Sequence, residues 1–316
     1  MNKRIEYIDK AKGIGILCVV FLHIALTKDF CGYTFWGGWI RTFFMPLFFI
    51  TSGIFFHLGN IVPKVKRLLM PLLSFNFIAL CFYSGKDLLH GENIDVVTML
   101  LDFFGLSCNY PPNPPLWFLL SLIEILVMAH FMIKFIKSSW VIVLSLILGF
   151  IGYLLGARFG KMPLSVLPSL MCLPHFTIGY YLKDRILSLK IWHLLVALLL
   201  SIGIFMVQPV IPTLSDAVIP QGYILFFLSS FLGGIGIYGI CRIINGYVGQ
   251  IIDYFGRNSL IVLSTHWFFL SIPYHVLNQR SFVVFYYHHP QTVIQRKFFS
   301  IKKLGFSSVD KKESCA

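Results

Sequence analysis

Charge is what this chain has least of. Only 12% of its 316 residues are Asp, Glu, Lys or Arg, against roughly 25% in an ordinary soluble domain. So few charges cannot clothe the surface of a soluble protein this long, and a soluble globular enzyme is excluded. Acidic residues are scarcer still, with 13 Asp and Glu against 26 Lys and Arg. The seven cysteines, Cys18, Cys31, Cys81, Cys108, Cys172, Cys241 and Cys315, include no CxxC pair and no metal-like spacing, so neither a disulfide framework nor a metal site is indicated. No internal repeat or low-complexity tract occurs. What the chain has instead is apolar mass: 57% hydrophobic residues, among them 32 Phe, 14 Tyr and 6 Trp, with a mean hydropathy of +0.79. That content excludes disorder. At roughly 20 apolar residues per helical span, the length accommodates about ten spans joined by short connections, with no additional soluble domain.

Apolar runs near 13–27, 39–59, 68–84, 115–136, 140–156, 165–182, 191–212, 220–241 and 258–277 predict an all-α polytopic transmembrane bundle of nine to ten spans, because lipid offers the backbone no hydrogen-bond partners. The opening run resembles a signal peptide, but no small-x-small cleavage site precedes Thr27-Lys28-Asp29, so it reads as an uncleaved first span. With the N-terminus in the cytoplasm, 14 basic residues fall inside and five outside up to the ninth run, the orientation that the positive-inside rule favours. The remaining seven, Arg280, Arg296, Lys297, Lys302, Lys303, Lys311 and Lys312, follow that run on the outside, where a basic tail is not expected. The formal charge of +13 then points to anionic lipid headgroups as the partner rather than nucleic acid. After the ninth run the only apolar stretch is Ser281 to Tyr287, closed by His288-His289-Pro290 and too short to span. The expected division is therefore a membrane domain over 1–279 and a basic tail over 280–316, an incomplete or aberrant tenth span. The connection from Gly85 to Pro115 is acidic and ends in Pro111-Pro112-Asn113-Pro114-Pro115. It reads as an external loop with an amphipathic segment.

Asp9, Lys12 and His23 share one face of the first span, since 11 residues make about three helical turns. His23 lies about 16 Å along the axis from Lys12, deep in the bilayer. Ionisable groups at such depth usually line a pathway or cavity, and a neutral imidazole can take a proton from a hydroxyl; a packing histidine bonded to a neighbouring helix is the competing reading. Lys64, Lys66 and Arg67 cluster at a cytoplasmic helix end, suited either to the phosphates of a donor or to lipid headgroups. Pro46 kinks the second run, and Ser52-Gly53 permits close approach by a helix or a ligand. Glu124, seven residues after Trp117, could orient an imidazole or bind a polar substrate, or it could be a protonated carboxyl bonded to a neighbouring helix. His266 stands in the most polar late stretch, Gly256-Arg257-Asn258-Ser259-Leu260 to Ser264-Thr265-His266. His130 and His175 read as structural.

Taken in order, these landmarks resemble the membrane acyltransferases of type 3, particularly the branch similar to fucose 4-O-acetylase and surface-polysaccharide O-acetyltransferases. The resemblance rests on Lys12 and His23 as a basic-x10-His pair, Phe44-Met45-Pro46-Leu47-Phe48-Phe49 leading to Ser52-Gly53, Lys64 and Arg67 as a basic-x-x-Arg loop, Leu116-Trp117-Phe118-Leu119, and Gly256 to His266. It covers residues 5 to 270. It implies ten spans in a bacterial inner membrane, an acetyl-coenzyme A donor, no metal, and a hydroxyl acceptor on a cell-surface or lipid-linked glycan. It also implies an essential His23, supported by Lys12 and Asp9 and with Glu124 as a further catalytic candidate. Lys64, Lys66 and Arg67 would hold the donor, and Ser52, Trp117, Asn258 and His266 the acceptor. A Lys at position 12, where the family often has Arg, and the absent tenth span are departures. The alternative is a proton-coupled secondary transporter with His23 and Glu124 lining its pathway, although such folds usually carry internal repeats.

Overall fold

The computed structural model describes residues 5–24, 35–89, 91 and 95–277. The chain divides into two compact units, Met1–Phe268 and Phe269–Ala316, and the expected tail over 280–316 lies outside the described residues. Among these residues every element is helical apart from one isolated antiparallel bridge between Thr213 and Val218. The helices are α1 (Glu6–His23), α2 (Phe35–Ile54), α3 (Val62–Leu89), α4 (Val96–Phe103), α5 (Trp117–Phe135), α6 (Ser138–Phe159), α7 (Val166–Tyr181), α8 (Lys183–Ser188), α9 (Ile191–Val207), α10 (Tyr223–Ile243), α11 (Gly246–Arg257) and α12 (Ser259–Leu277). Each of the nine apolar runs falls on one of them. Among the described residues, four helical stretches, Val62–Leu89, Pro114–Phe135, Ser138–Phe159 and Tyr223–Ile243, are long and apolar enough to cross a membrane by length and composition.

The way these helices bury themselves is that of a lipid-solvated bundle. On α6 only Val141, Ser145, Gly149, Gly152 and Gly156 are buried, a narrow stripe of mostly small residues, while Trp140, Ile147, Phe150, Ile151 and Leu154 face outward. In water that outer face would aggregate; in hydrocarbon it is solvated. Helices in lipid gain no hydrophobic energy from meeting each other and must instead approach closely and share hydrogen bonds. Both devices are present. A Cβ on Gly53 of α2 would lie 2.1 Å from the Phe176 carbonyl oxygen of α7, and a Cβ on Gly179 of α7 would lie 2.5 Å from the Ile50 oxygen of α2, so the two backbones touch reciprocally. Trp39 donates to Ser201 (3.0 Å), and Ser201 and Ser229 each donate to the other's carbonyl, at 2.7 and 3.0 Å, tying α2 to α9 and α10.

Helix ends depart from the runs by several residues, as at α3, which covers Val62–Leu89 where the run covered 68–84, and two departures bear on the site. The first helix begins at Glu6, seven residues before its apolar run, because its polar turns pair internally: Lys10 with Glu6 at 2.8 Å and Lys12 with Asp9 at 2.6 Å. Helix α11 was not expected. It carries too little apolar surface to count as a run, yet its buried face of Gly249, Asp253 and Gly256 packs along α1. There, Cβ atoms on Gly13 and Gly256 would lie 2.0 Å from the Ile252 oxygen and 1.7 Å from the Asp9 oxygen.

The bundle has two polar ends. At one, Lys10 donates to the Ile244 carbonyl (2.9 Å), and Arg242 donates to Tyr7 Oη and the Leu187 carbonyl (both 2.9 Å) and to the Leu189 carbonyl. These bonds join the start of α1, the segment around α8 and the end of α10. At the other end, buried Asn113 of the proline-rich segment donates from its side chain to the Ser264 carbonyl (2.8 Å) and from its backbone to Asn76 Oδ1 (3.2 Å). His23 is on this second end.

Candidate active site

His23 occupies the last turn of α1, where it meets α12. Its Nδ1 lies 3.3 Å from Nε2 of buried His266, with ring centroids 5.2 Å apart and planes at 38°. The other nitrogen of His266, Nδ1, lies 2.9 Å from the Val262 carbonyl oxygen one turn earlier in α12. Trp267 presents its ring edge-on to His23 at 5.6 Å and 89°, and its indole N–H donates to Tyr83 Oη of α3 at 3.1 Å. Three helices therefore fix the surroundings of this imidazole.

His23 lines a cleft together with Val19, Arg41, Phe44, Met45, Pro115, Trp117, Leu263 and the turn Pro212-Thr213-Leu214-Ser215. Among the described residues, the lining sets one charge, Arg41, beside two aromatic side chains and two hydroxyls. The turn is held from outside. Tyr110 donates its hydroxyl to the buried Asp216 carboxylate, and its oxygen lies 3.1 Å from Ser215 Oγ. Lys161 Nζ sits 3.2 Å from the centre of the Tyr110 ring. Burial pushes the Lys161 ammonium down to about 8, opposed by the negative fields of Asp216 and Asp102.

The other expected site residues are dispersed. Lys12 and Asp9 form their ion pair on α1, Lys12 about 16 Å and Asp9 about 21 Å along the axis from His23, and neither lines the cleft. At the same end Lys66 and Arg67 are exposed, whereas Lys64 donates to the His57 carbonyl and lies 4.3 Å from the Phe56 ring centre. An anionic donor would thus find two uncovered cations there, Lys66 and Arg67, beside two already engaged. Glu124 accepts a 2.6 Å bond from Ser169 of α7, whose hydroxyl is also 2.9 Å from Ser121 Oγ; the carboxyl belongs to the α5–α7 contact and not to the cleft. Ser52 is half-buried beside the Gly53 contact. Asn258 caps α11, its side chain donating to the Tyr254 carbonyl at 2.9 Å. His175 is enclosed by Phe226, Phe227 and Phe231 and bonds Ser230 at 2.7 Å. Of the expected residues, His23, His266 and Trp117 are brought together.

Arg41, Asn113, Tyr83, Trp267 and the turn at 212–215 were not singled out from the sequence. Arg41 could have been: a lone arginine within the apolar run 39–59 carries the same signal of buried charge that picked out His23. Asn113, the one polar residue among four prolines, had a weaker signal. Against known proteins, a family model described as an acyltransferase domain, of the acyltransferase type 3 class, matches residues 5–291. No curated protein and no solved structure matches the chain.

Proposed function

From the premise that this chain belongs to the acyltransferase type 3 family, and so is a membrane protein that transfers acyl groups, we propose that it moves an acetyl group from acetyl-coenzyme A to a hydroxyl of a cell-surface or lipid-linked glycan. The observation that carries this reading is an imidazole lining a cleft that also holds aromatic rings, hydroxyls and a cation. O-acetylation needs a base at the acceptor hydroxyl, and His23 is the titratable group there that is uncharged in its basic form. The acceptor oxygen attacks the thioester carbonyl carbon; the new C–O bond forms, the C–S bond breaks, and the hydroxyl proton passes to His23 and then to the departing thiolate. Trp117 and Phe44 offer faces for a sugar ring, while Thr213, Ser215 and Arg41 offer hydrogen bonds to its substituents.

The donor enters from the opposite end of α1, where Lys66 and Arg67 are exposed to phosphates and where the basic loops gather. That end is assigned to the cytoplasm of a bacterial cell, with the protein in the inner membrane. The cleft then faces the compartment in which surface glycans are finished. Membranes containing the protein, supplied with acetyl-coenzyme A labelled in the acetyl group and with cell-envelope glycans, should transfer label to the glycan in an alkali-labile ester. Coenzyme A release without labelled ester, or no transfer at all, would refute the assignment.

A further inference from the structure

The two histidines carry more information than their proximity, because one carbonyl decides where every proton in the pair must sit. A carbonyl oxygen only accepts, so His266 Nδ1, at 2.9 Å from the Val262 oxygen, carries a hydrogen. In the neutral ring this leaves the lone pair of His266 on Nε2. That nitrogen faces His23 Nδ1 at 3.3 Å. Two bare nitrogens would repel, so His23 Nδ1 carries the hydrogen and donates, which places the His23 lone pair on Nε2.

We propose that His266 is a positioning residue that holds His23 in the Nδ1–H tautomer, with Nε2 as the nitrogen that accepts the acceptor's proton. The proposal rests on the reading of His23 as the base. Its chemical sense is differential. When His23 takes a proton on Nε2 it becomes an imidazolium, and its bond to His266 turns from neutral to charge-assisted, a stronger interaction formed as charge develops. The proton leaves again by Nε2, and His266 ends as it began. His266 is itself anchored: two residues earlier on α12 the Ser264 carbonyl accepts from Asn113, two residues before cleft-lining Pro115. One short chain of bonds therefore sets both the orienting ring and a wall of the cleft.

A histidine present only to fill space would be replaceable by a ring of similar size; an orienting acceptor would be replaceable by another acceptor. The test compares His266→Phe, which keeps a ring and loses the acceptor, with His266→Gln, whose carboxamide oxygen can accept from His23 Nδ1. Both are read in the reconstituted full-length protein by kcat and KM for transfer from acetyl-coenzyme A, and by the ring-nitrogen resonances of 15N-histidine-labelled protein, with His23 assigned by comparison with His23→Gln. His266→Phe should lower kcat by about 10–100-fold, the worth of one hydrogen bond to a charged group, with KM little changed and Nε2–H resonances appearing for His23. His266→Gln should recover most of the loss, and the wild type should show His23 protonated on Nδ1. Equal losses in both variants, full activity in His266→Phe, or an Nε2–H resonance for His23 in the wild type would each overturn the proposal. Should the wild type transfer no acyl group at all, the functional reading fails by itself, and the 15N spectrum of the wild type still decides the tautomer.

Discussion

The contact between α1 and α11 fixes the helix that carries His23, and its energetics can be worked from one atom pair. In Gly256→Ala the new methyl would start 1.7 Å from the Asp9 carbonyl oxygen. To reach even 3.0 Å, the shortest separation that real Cβ atoms show, the helices must part by about 1.3 Å, the difference of those two distances. Backbone lies on both sides, so no side chain can swing away. Overpacking of this kind costs typically 1–3 kcal/mol, with the upper end appropriate to a backbone clash. Alanine returns up to about 1 kcal/mol of helix propensity. The expected net loss is about 2 kcal/mol. Gly203→Ala in α9 is the matched control, since nothing lies within 4 Å of its added Cβ and it should be neutral or slightly stabilising. Denaturant unfolding of the purified protein in mixed micelles, followed by tryptophan fluorescence, compares the two. Equal stability of Gly256→Ala and Gly203→Ala would refute the close-approach argument.

Two further outcomes follow from the polar network. Lys161 titrates near 8 in the folded protein and near 10.4 in an unfolded chain. Between those values the unfolded state binds more protons, so stability should rise as pH increases from about 8 to 10; unfolding temperatures of wild type and Lys161→Met, compared across that range, should show the rise in wild type alone. Glu124 bonds to Ser169 and does not line the cleft. Glu124→Gln, which keeps an acceptor, should therefore retain transfer activity near that of wild type, and a large loss of kcat with intact protein would return Glu124 to the catalytic machinery.

Much of the fold was legible because a lipid-facing helix announces itself by unbroken apolar length. All nine runs became helices on that account. Legibility failed where polarity hides structure. The first two turns of α1 are polar in sequence but carry their own ion pairs, and α11 buries a face of two glycines and an aspartate that no hydropathy count detects. The site divided along the same line. His23 and His266 were visible because imidazoles are costly in an apolar helix. Their separation of 243 residues made the pairing invisible without the fold. Glu124 carried an equally strong signal of buried charge, but a serine on a neighbouring helix had already answered it. The cleft wall at 212–215 had no signal: three of its four residues are Pro, Thr and Ser, ordinary turn chemistry, and the Tyr110–Asp216 bond beside it joins residues more than 100 apart.

The central claim is that the His23 imidazole takes the acceptor's proton during transfer. Its most direct measurement is acetyl transfer to glycan by His23→Gln in membranes, beside wild type, with folding verified for both by the same unfolding midpoint. Loss of transfer by about 100-fold or more, the usual worth of a general base, with the variant still folded and inserted, is the predicted result. A folded His23→Gln that acetylates glycan at the wild-type rate would contradict it.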